Sequence, residues 1–267
     1  KNIIMLIRNI YIILLLCSVF SFAQNKIDKE QNFRISYDLE YSPDSTNLNR
    51  KEYDSFFLTI SKDKSIFNSE SEYLKDSILN SPNPNNLLKL NKSLFKNTII
   101  KKNDRIINYL NYNVYRFIFN ESIDFKWELT KETKNILGYK CKSALTNFKG
   151  RNYIAFYTDE LPFSDGPYKF NGLPGLILEI SDLNNNYFFK AVALKKLSKN
   201  FNYKIFNENS YKKIELEEIK KLEDKIKEKP SILIMNENIK LSDEAYEKYN
   251  RSYKEKNKFR NNSIELD

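Results

Sequence analysis

Apolar and polar residues alternate along much of this chain with the two-residue period of strands that keep one face wet. Phe33, Ile35, Tyr37, Leu39 and Tyr41 are separated by Arg34, Ser36, Asp38 and Glu40, which predicts a half-buried strand. Ser42-Pro43-Asp44-Ser45 turns the chain, Phe56, Leu58 and Ile60 alternate again, and Lys62-Asp63-Lys64 leads into a returning strand over 65–69. Tyr73 to Leu79 predicts a short helix, the linker SPNPNN over 81–86 opposes regular structure, and 87–95 fits either a helix or a strand. Alternation resumes from Thr98, through 106–109 and 112–119, then in Ile123, Phe125, Trp127 and Leu129. Tyr139, Cys141 and Ser143 share a face of the next strand, Lys149-Gly150 turns it into 152–158, and 183–186 joins 176–180 to 187–194.

After residue 210 the period changes. Leu216, Ile219, Leu222 and Ile226 recur at three and four within the charged segment 212–229, an amphipathic helix that Pro230 closes. Ser242, followed by Asp243 and Glu244, starts a second helix with Tyr246, Tyr249 and Tyr253 as a stripe. Strands joined by short turns and then helices predict an α+β fold: a mainly antiparallel twisted sheet, able to curl toward a half-barrel, with carboxy-terminal helices.

The chain's glycines and prolines gather at Pro162 to Ile180, PFSDGPYKFNGLPGLILEI. All five glycines fall between Gly138 and Gly175, and three of the seven prolines (Pro162, Pro167, Pro174) lie in this stretch. Leu173-Pro174-Gly175-Leu176 has the residues of a type II turn, which predicts positive φ at Gly175. The structural motif is Gly166, Pro167, Gly172, Leu173, Pro174, Gly175 and Leu176. Its turns either shape a long connection for the core, or also hold Tyr168, Lys169 and Phe170 as a pre-ordered partner-binding surface.

GLPGLIL at 172–178, with SDGPYKFN before it, resembles the GLPGLI family of exported bacterial proteins. ILGYKCKSA at 136–144, GRNYIAFYTDELP at 150–162 and the closing NSIEL at 262–266 are similar to other landmarks of that family. Phe156 stands where members commonly carry tryptophan, and Ser263 where they carry proline. The resemblance implies one GLPGLI-type domain over 24–267 and an exported protein of a family without an agreed activity.

The amino terminus agrees with export. Lys1 and Arg8 precede the apolar run 9–20, and Ser21-Phe22-Ala23 is a signal-peptidase pattern, so residues 1–23 read as a signal peptide cleaved between Ala23 and Gln24. The run is short for a membrane span, and Leu16 before Cys17 is too bulky for lipoprotein processing. The expected protein is periplasmic or secreted, has no retained transmembrane segment, and keeps Cys141 as its one cysteine.

Composition narrows the chemistry. Lys and Arg exceed Asp and Glu by 44 to 35, a net +9, but the signs interleave as on a solvated face, so nucleic acid is not the expected partner. There is no histidine, which removes Ser-His-Asp and Cys-His machinery and the commonest zinc and iron ligand. Gly166 to Gly175 has no phosphate-loop spacing, and no cofactor or metal is expected. Cys141 reads as a small buried residue. Asp159, Glu160 and Asp165 could supply an acid and a base or an oxygen-only cation site, and Arg151 and Lys169 could hold an anion. The expectation is a non-catalytic envelope binding or assembly module using the SDGPYKFNGLPGLIL loop, with an envelope protein as partner. The alternatives are a carboxylate-dependent hydrolase and a periplasmic carrier of an apolar ligand.

Overall fold

The alternation from Phe33 to Tyr41 becomes the central strand β1 (Phe33–Tyr41), whose inward side chains Ile35, Tyr37 and Leu39 are completely buried. The structure is a computed structural model that describes residues 31–82, 90, 93–112, 115–235 and 241–266. The Ala23–Gln24 junction, part of the SPNPNN linker and part of the ambiguous stretch after it lie outside the described residues.

On one side of β1 lie β2 (Glu52–Ile60), β3 (Ser65–Ser69), β4 (Thr98–Lys102), β5 (Arg105–Tyr112) and β6 (Tyr115–Glu121). On its other side lie β11 (Tyr187–Lys196), β10 (Leu176–Asp182), β9 (Arg151–Thr158), β8 (Tyr139–Phe148) and β7 (Glu128–Ile136). Two antiparallel meanders thus meet where β1 pairs with β11 over Phe33↔Lys196 to Tyr41↔Tyr187. The hairpins at Asn103-Asp104, Leu137-Gly138 and Lys149-Gly150 have positive φ at both turn residues, the twist-matching form for two-residue connections. The predicted helix near Tyr73 is α1 (Glu70–Leu79), capped by the Ser69 hydroxyl, which accepts from the Glu72 N–H at 3.2 Å.

The carboxy-terminal helices are α2 (Leu216–Glu228), which opens with a Glu215/Glu218 capping box, and α3 (Asp243–Asn257), capped by Ser242. The charged segment enters its helix later than its charge pattern suggests. Lys212 and Lys213 first form β12 (Lys212–Lys213), parallel to Phe117 and Ile118 at the sheet edge. The result is an open, mostly antiparallel sheet with helices gathered mainly at the carboxy-terminal end, an α+β fold and not a closed barrel. No helix among the described residues is long and apolar enough to cross a membrane.

The order of strands dictates a curl. β6 and β7 lie ten strand positions apart, which in a flat sheet at about 4.8 Å per position would be roughly 48 Å. The link from Glu121 to Glu128 spans at most about 25 Å when fully extended, so the ends of the sheet must bend toward each other. This link also explains a departure from the sequence pattern. Ile123, Phe125 and Trp127 alternate like a strand, yet pairing begins only at Glu128, because residues 122–127 cross the mouth of the curl without a neighbouring strand. Phe125 and Trp127 turn inward, with the Phe125 ring 5.2 Å from Phe148 and 5.4 Å from Phe170.

The closing NSIEL segment is fastened to the same body. Arg151 is buried with its Nη2 donating to Asn262 Oδ1 at 2.5 Å and to the Ser263 carbonyl at 2.6 Å, while its Nη1 lies 3.6 Å from Asp182 Oδ2. Asn262 donates to the Ser42 carbonyl at 2.8 Å, and the Tyr187 hydroxyl donates to the Asn262 carbonyl at 2.6 Å. The anion that Arg151 holds is therefore the chain's own Asp182. Replacing Arg151 with methionine strands that carboxylate in the core, and we expect a loss of about 3–5 kcal/mol, read from the urea midpoint; an unchanged midpoint would mean the segment is not a latch.

Candidate functional site

β9 and β10 are antiparallel neighbours and could be joined by two residues, yet residues 159–175 lie between them. The excess chain folds back into the hollow of the curled sheet. Tight turns shape it: the N–H groups of Phe163, Asp165 and Gly175 donate to the carbonyls of Leu161, Phe163 and Leu173, each two residues earlier, at 2.7, 2.7 and 2.8 Å. An isolated bridge between Asp165 and Asn171 closes the segment holding Tyr168, Lys169 and Phe170 into a small ring.

The predicted type II turn is not what forms. Positive φ occurs at Gly172 (+93°) and Tyr168 (+53°), whereas Gly175 lies outside the left-handed region. Gly175 meets a different requirement, which is space: a Cβ there would stand 2.1 Å from the Thr158 carbonyl oxygen and 2.9 Å from the Asp159 nitrogen. Pro174 heads a turn two residues wide that presses the chain against the end of β9. At Gly166 a Cβ would fall 2.8 Å from Ile177 Cβ. Both glycines permit close approach of backbone, one to backbone and one to the first core residues of β10.

Two buried lysines pin the ring. Lys101, on β4 and 8% exposed, places its Nζ 2.5 Å from Asp165 Oδ1 and donates to the carbonyls of Gly166, Tyr168 and Phe170 at 2.6, 3.1 and 3.3 Å. Burial pulls its pKa below the ordinary lysine value, and Asp165 opposes that shift. Lys169 is 5% exposed and lies between Glu121 at 2.5 Å and Glu265 at 2.6 Å. The Tyr168 hydroxyl donates to the same Glu265 at 2.5 Å, and Trp127 Nε1 donates to the Asn171 carbonyl at 2.9 Å. Phe170 is completely buried, 4.8 Å from the Tyr153 ring. Tyr168, Lys169 and Phe170 are thus turned into the hollow and already engaged, because the ring rolls them toward β6 and the carboxy-terminal segment. What the loop shows to solvent is Pro162, Ser164, Gly172 and Pro174.

The three carboxylates singled out in the sequence do not converge. Asp159 pairs with Lys142 at 2.6 Å on the surface, and the hydrogen bond from that lysine lowers its pKa. Glu160, also exposed, accepts from the Lys140 N–H at 3.2 Å, and Asp165 faces Lys101. Cys141 is buried, and burial lifts its thiol to about 11, far from a reactive thiolate. No group of three His, Cys, Asp or Glu among the described residues could hold a metal ion.

The hollow is solid where an apolar carrier would need it empty. Phe56 stacks on Phe67 at 4.9 Å, Phe189 meets both edge-on at 5.8 and 6.1 Å, and Leu173, Leu176 and Ile177 complete the same cluster. Clefts open at its margins. One of about 590 Å³ lies between hairpin tips and the motif, beside Asp63, Lys102, Asp124 and Ser164. Another of about 860 Å³ lies between α3 and the sheet, with Tyr41, Tyr112, Tyr187, Tyr249 and Tyr253 among its walls. Tyr249 and Tyr253 were visible in the sequence as one side of a helix, but nothing in their spacing tells which part of the sheet they face.

Lys101→Met should leave Asp165 and three carbonyls without their cation and cost about 3–5 kcal/mol. Gly175→Ala should cost about 1–3 kcal/mol or more through overpacking against Thr158. Both follow from denaturant midpoints.

Comparison with known proteins agrees with this architecture. Two solved structures of PNGF-II, in the P21 and C2 space groups, superpose with TM-scores of 0.54 and 0.55 at 18% and 17% identity. Each match covers 72% of this chain but only 33% and 32% of the other, so the chain spans about a third of the length of those proteins. No curated protein sequence matches it. Residues 39–221 match the family described as N-glycanase peptide, N-terminal domain, a span that takes in the sheet apart from residues 33–38 of β1, the pinned loop and the start of α2. With well over half of its length inside that match, the chain belongs to the PNGase F-II N-terminal domain family.

Proposed function

We propose that this chain is a non-catalytic recognition module of an exported, glycan-directed protein. The observation that carries the reading is the state of the motif's carboxylates: Asp159, Glu160 and Asp165 each have a separate partner, in Lys142, the Lys140 N–H and Lys101. A general acid and base need a shared space around a reacting bond, and these groups have none. The family's N-glycanase name supplies the glycan direction. Processing chemistry then belongs to partner domains or proteins, and this module contributes binding.

We also read the chain as a GLPGLI-type protein. The pinned loop supports this, since Gly166, Gly175, Leu173, Leu176 and Ile177 each meet a packing requirement that few other residues satisfy. In that reading SDGPYKFNGLPGLIL is the keystone of the fold, and recognition falls to a surface it holds in place. Export with cleavage after Ala23 belongs to the same proposal.

Incubating the purified chain with N-glycoproteins and end-labelled oligosaccharides should release no product above buffer. Turnover that the Asp159→Asn/Glu160→Gln variant loses would restore the hydrolase reading. Intact mass of the exported protein should correspond to a start at Gln24, and a cytoplasmic form retaining residues 1–23 would remove export.

A further inference from the structure

The cleft between α3 and the sheet has a composition that the core does not need. Its floor is the Tyr41–Tyr187 pair, stacked at 5.8 Å and 16°, with Phe95 edge-on to Tyr41 at 5.3 Å. Its wall is the Tyr249–Tyr253 pair on α3, stacked at 6.1 Å and half-exposed. Most tyrosine hydroxyls here are spent: Tyr41 donates to Glu52 at 2.8 Å, Tyr187 to the Asn262 carbonyl at 2.6 Å, and Tyr112 to Glu223 at 2.7 Å. Those of Tyr249 and Tyr253 have no protein partner among the described residues.

The rest of the rim is polar and equally unspent. Lys96, Asn97 and Lys256 are exposed at the cleft and engage no protein group among the described residues. Asn257 uses its amide N–H on the Tyr253 carbonyl at 2.8 Å, which leaves its side-chain oxygen over. Arg260, by contrast, is fixed: its two Nη atoms lie 2.9 and 3.0 Å from the Glu52 carboxylate and tie the end of α3 to β2. The wall is therefore held in place while its tyrosines, Lys256 and the Asn257 side chain line an open space, whose rim also carries Lys96 and Asn97.

We propose that this cleft binds a short oligosaccharide. A pyranose ring has an apolar face of C–H groups and a rim of hydroxyls. Half-exposed tyrosine rings match the face, and amide, ammonium and phenol groups match the rim. A lipid chain would leave the polar half of the cleft unpaired. The volume of about 860 Å³ falls within the ~300–1,000 Å³ typical of small-molecule sites. The wall that carries the tyrosines, Asp243–Asn257, lies outside the family-matched span 39–221, while the floor residues Tyr41, Phe95 and Tyr187 lie inside it. The site rests on the recognition-module reading and gives that module its ligand.

The test is an array of neutral and acidic oligosaccharides probed with the full mature chain, followed by calorimetric titration of the best binder. Saturable binding is expected, at least about tenfold weaker for Tyr249→Ala/Tyr253→Ala and weakened less by Tyr249→Phe/Tyr253→Phe, which keeps the rings and removes only the hydroxyls, with thermal midpoints of both variants near wild type. Should either variant fail to fold, Lys256→Glu and Asn257→Ala, both at the surface of the same helix, provide the second reading and should each weaken binding. No saturable binding across the array, or binding that the alanine pair and the rim variants leave unchanged, overturns the proposal. Release of product from a bound oligosaccharide would instead overturn the non-catalytic reading and leave the cleft assignment standing.

Discussion

Where the β1–β11 ladder joins the two halves of this molecule along one seam, one ammonium group ties them again across the hollow. Lys101 belongs to the meander that runs from β1 to β6, and the loop it enters belongs to the meander that runs from β7 to β11. Its Nζ sits inside a ring of backbone carbonyls from Gly166, Tyr168 and Phe170, with Asp165 supplying the countercharge. Taking a charge out of water costs several kcal/mol unless paired charges and hydrogen bonds return it. Such a contact is tolerable only when the loop has one conformation, and the tight turns at Phe163, Asp165 and Gly175 impose that conformation.

The remaining features follow from placing that ring in the hollow. The short 122–127 link bends the sheet, and the bend creates a concave space that side chains from the strands alone do not fill. The ring fills it with Phe170 and Leu173 and offers Lys169 to Glu121 of β6 and to Glu265 of the carboxy-terminal segment. β10 takes part as well: a register shift between Ile177 and Glu179 coincides with the Tyr37 hydroxyl donating to the Ile177 carbonyl at 2.6 Å. A backbone acceptor displaced from the ladder thereby finds a donor on the central strand.

This division of labour bears on function. Groups that carry chemistry in other proteins are here otherwise engaged: Lys101 and Lys169 with carboxylates inside the fold, Asp159 and Glu160 with partners at the surface, and Cys141 by burial. Unspent polar groups and exposed aromatic faces occur instead at the margin, where α3 leans on the sheet. A rigid interior with its adaptable chemistry at the rim suits a module that recognises a ligand without transforming it.

Period-two alternation was enough to place most strands and the antiparallel class, because a strand with one buried face must write that face into every second residue. Helical spacing from Leu216 to Ile226, with caps at Ser242 and in the Glu215–Glu218 box, was likewise local information. The gathering of glycine and proline in 162–175 marks unusual backbone, but the reason for Gly175 is not local: it avoids the Thr158 backbone, a neighbour found only once β9 and β10 pair. The same limit applies to Ile123–Trp127, extended but unpaired, and to Lys169, whose carboxylates lie 48 residues before it and 96 after it in the chain. The sequence by itself determined periodicities, caps and excluded chemistries, all of which act within a few residues. Which side chains the ring buries, which carboxylates it neutralises and which tyrosines face each other across a cleft were decided by the tertiary structure, because those contacts arise from the curl of the sheet.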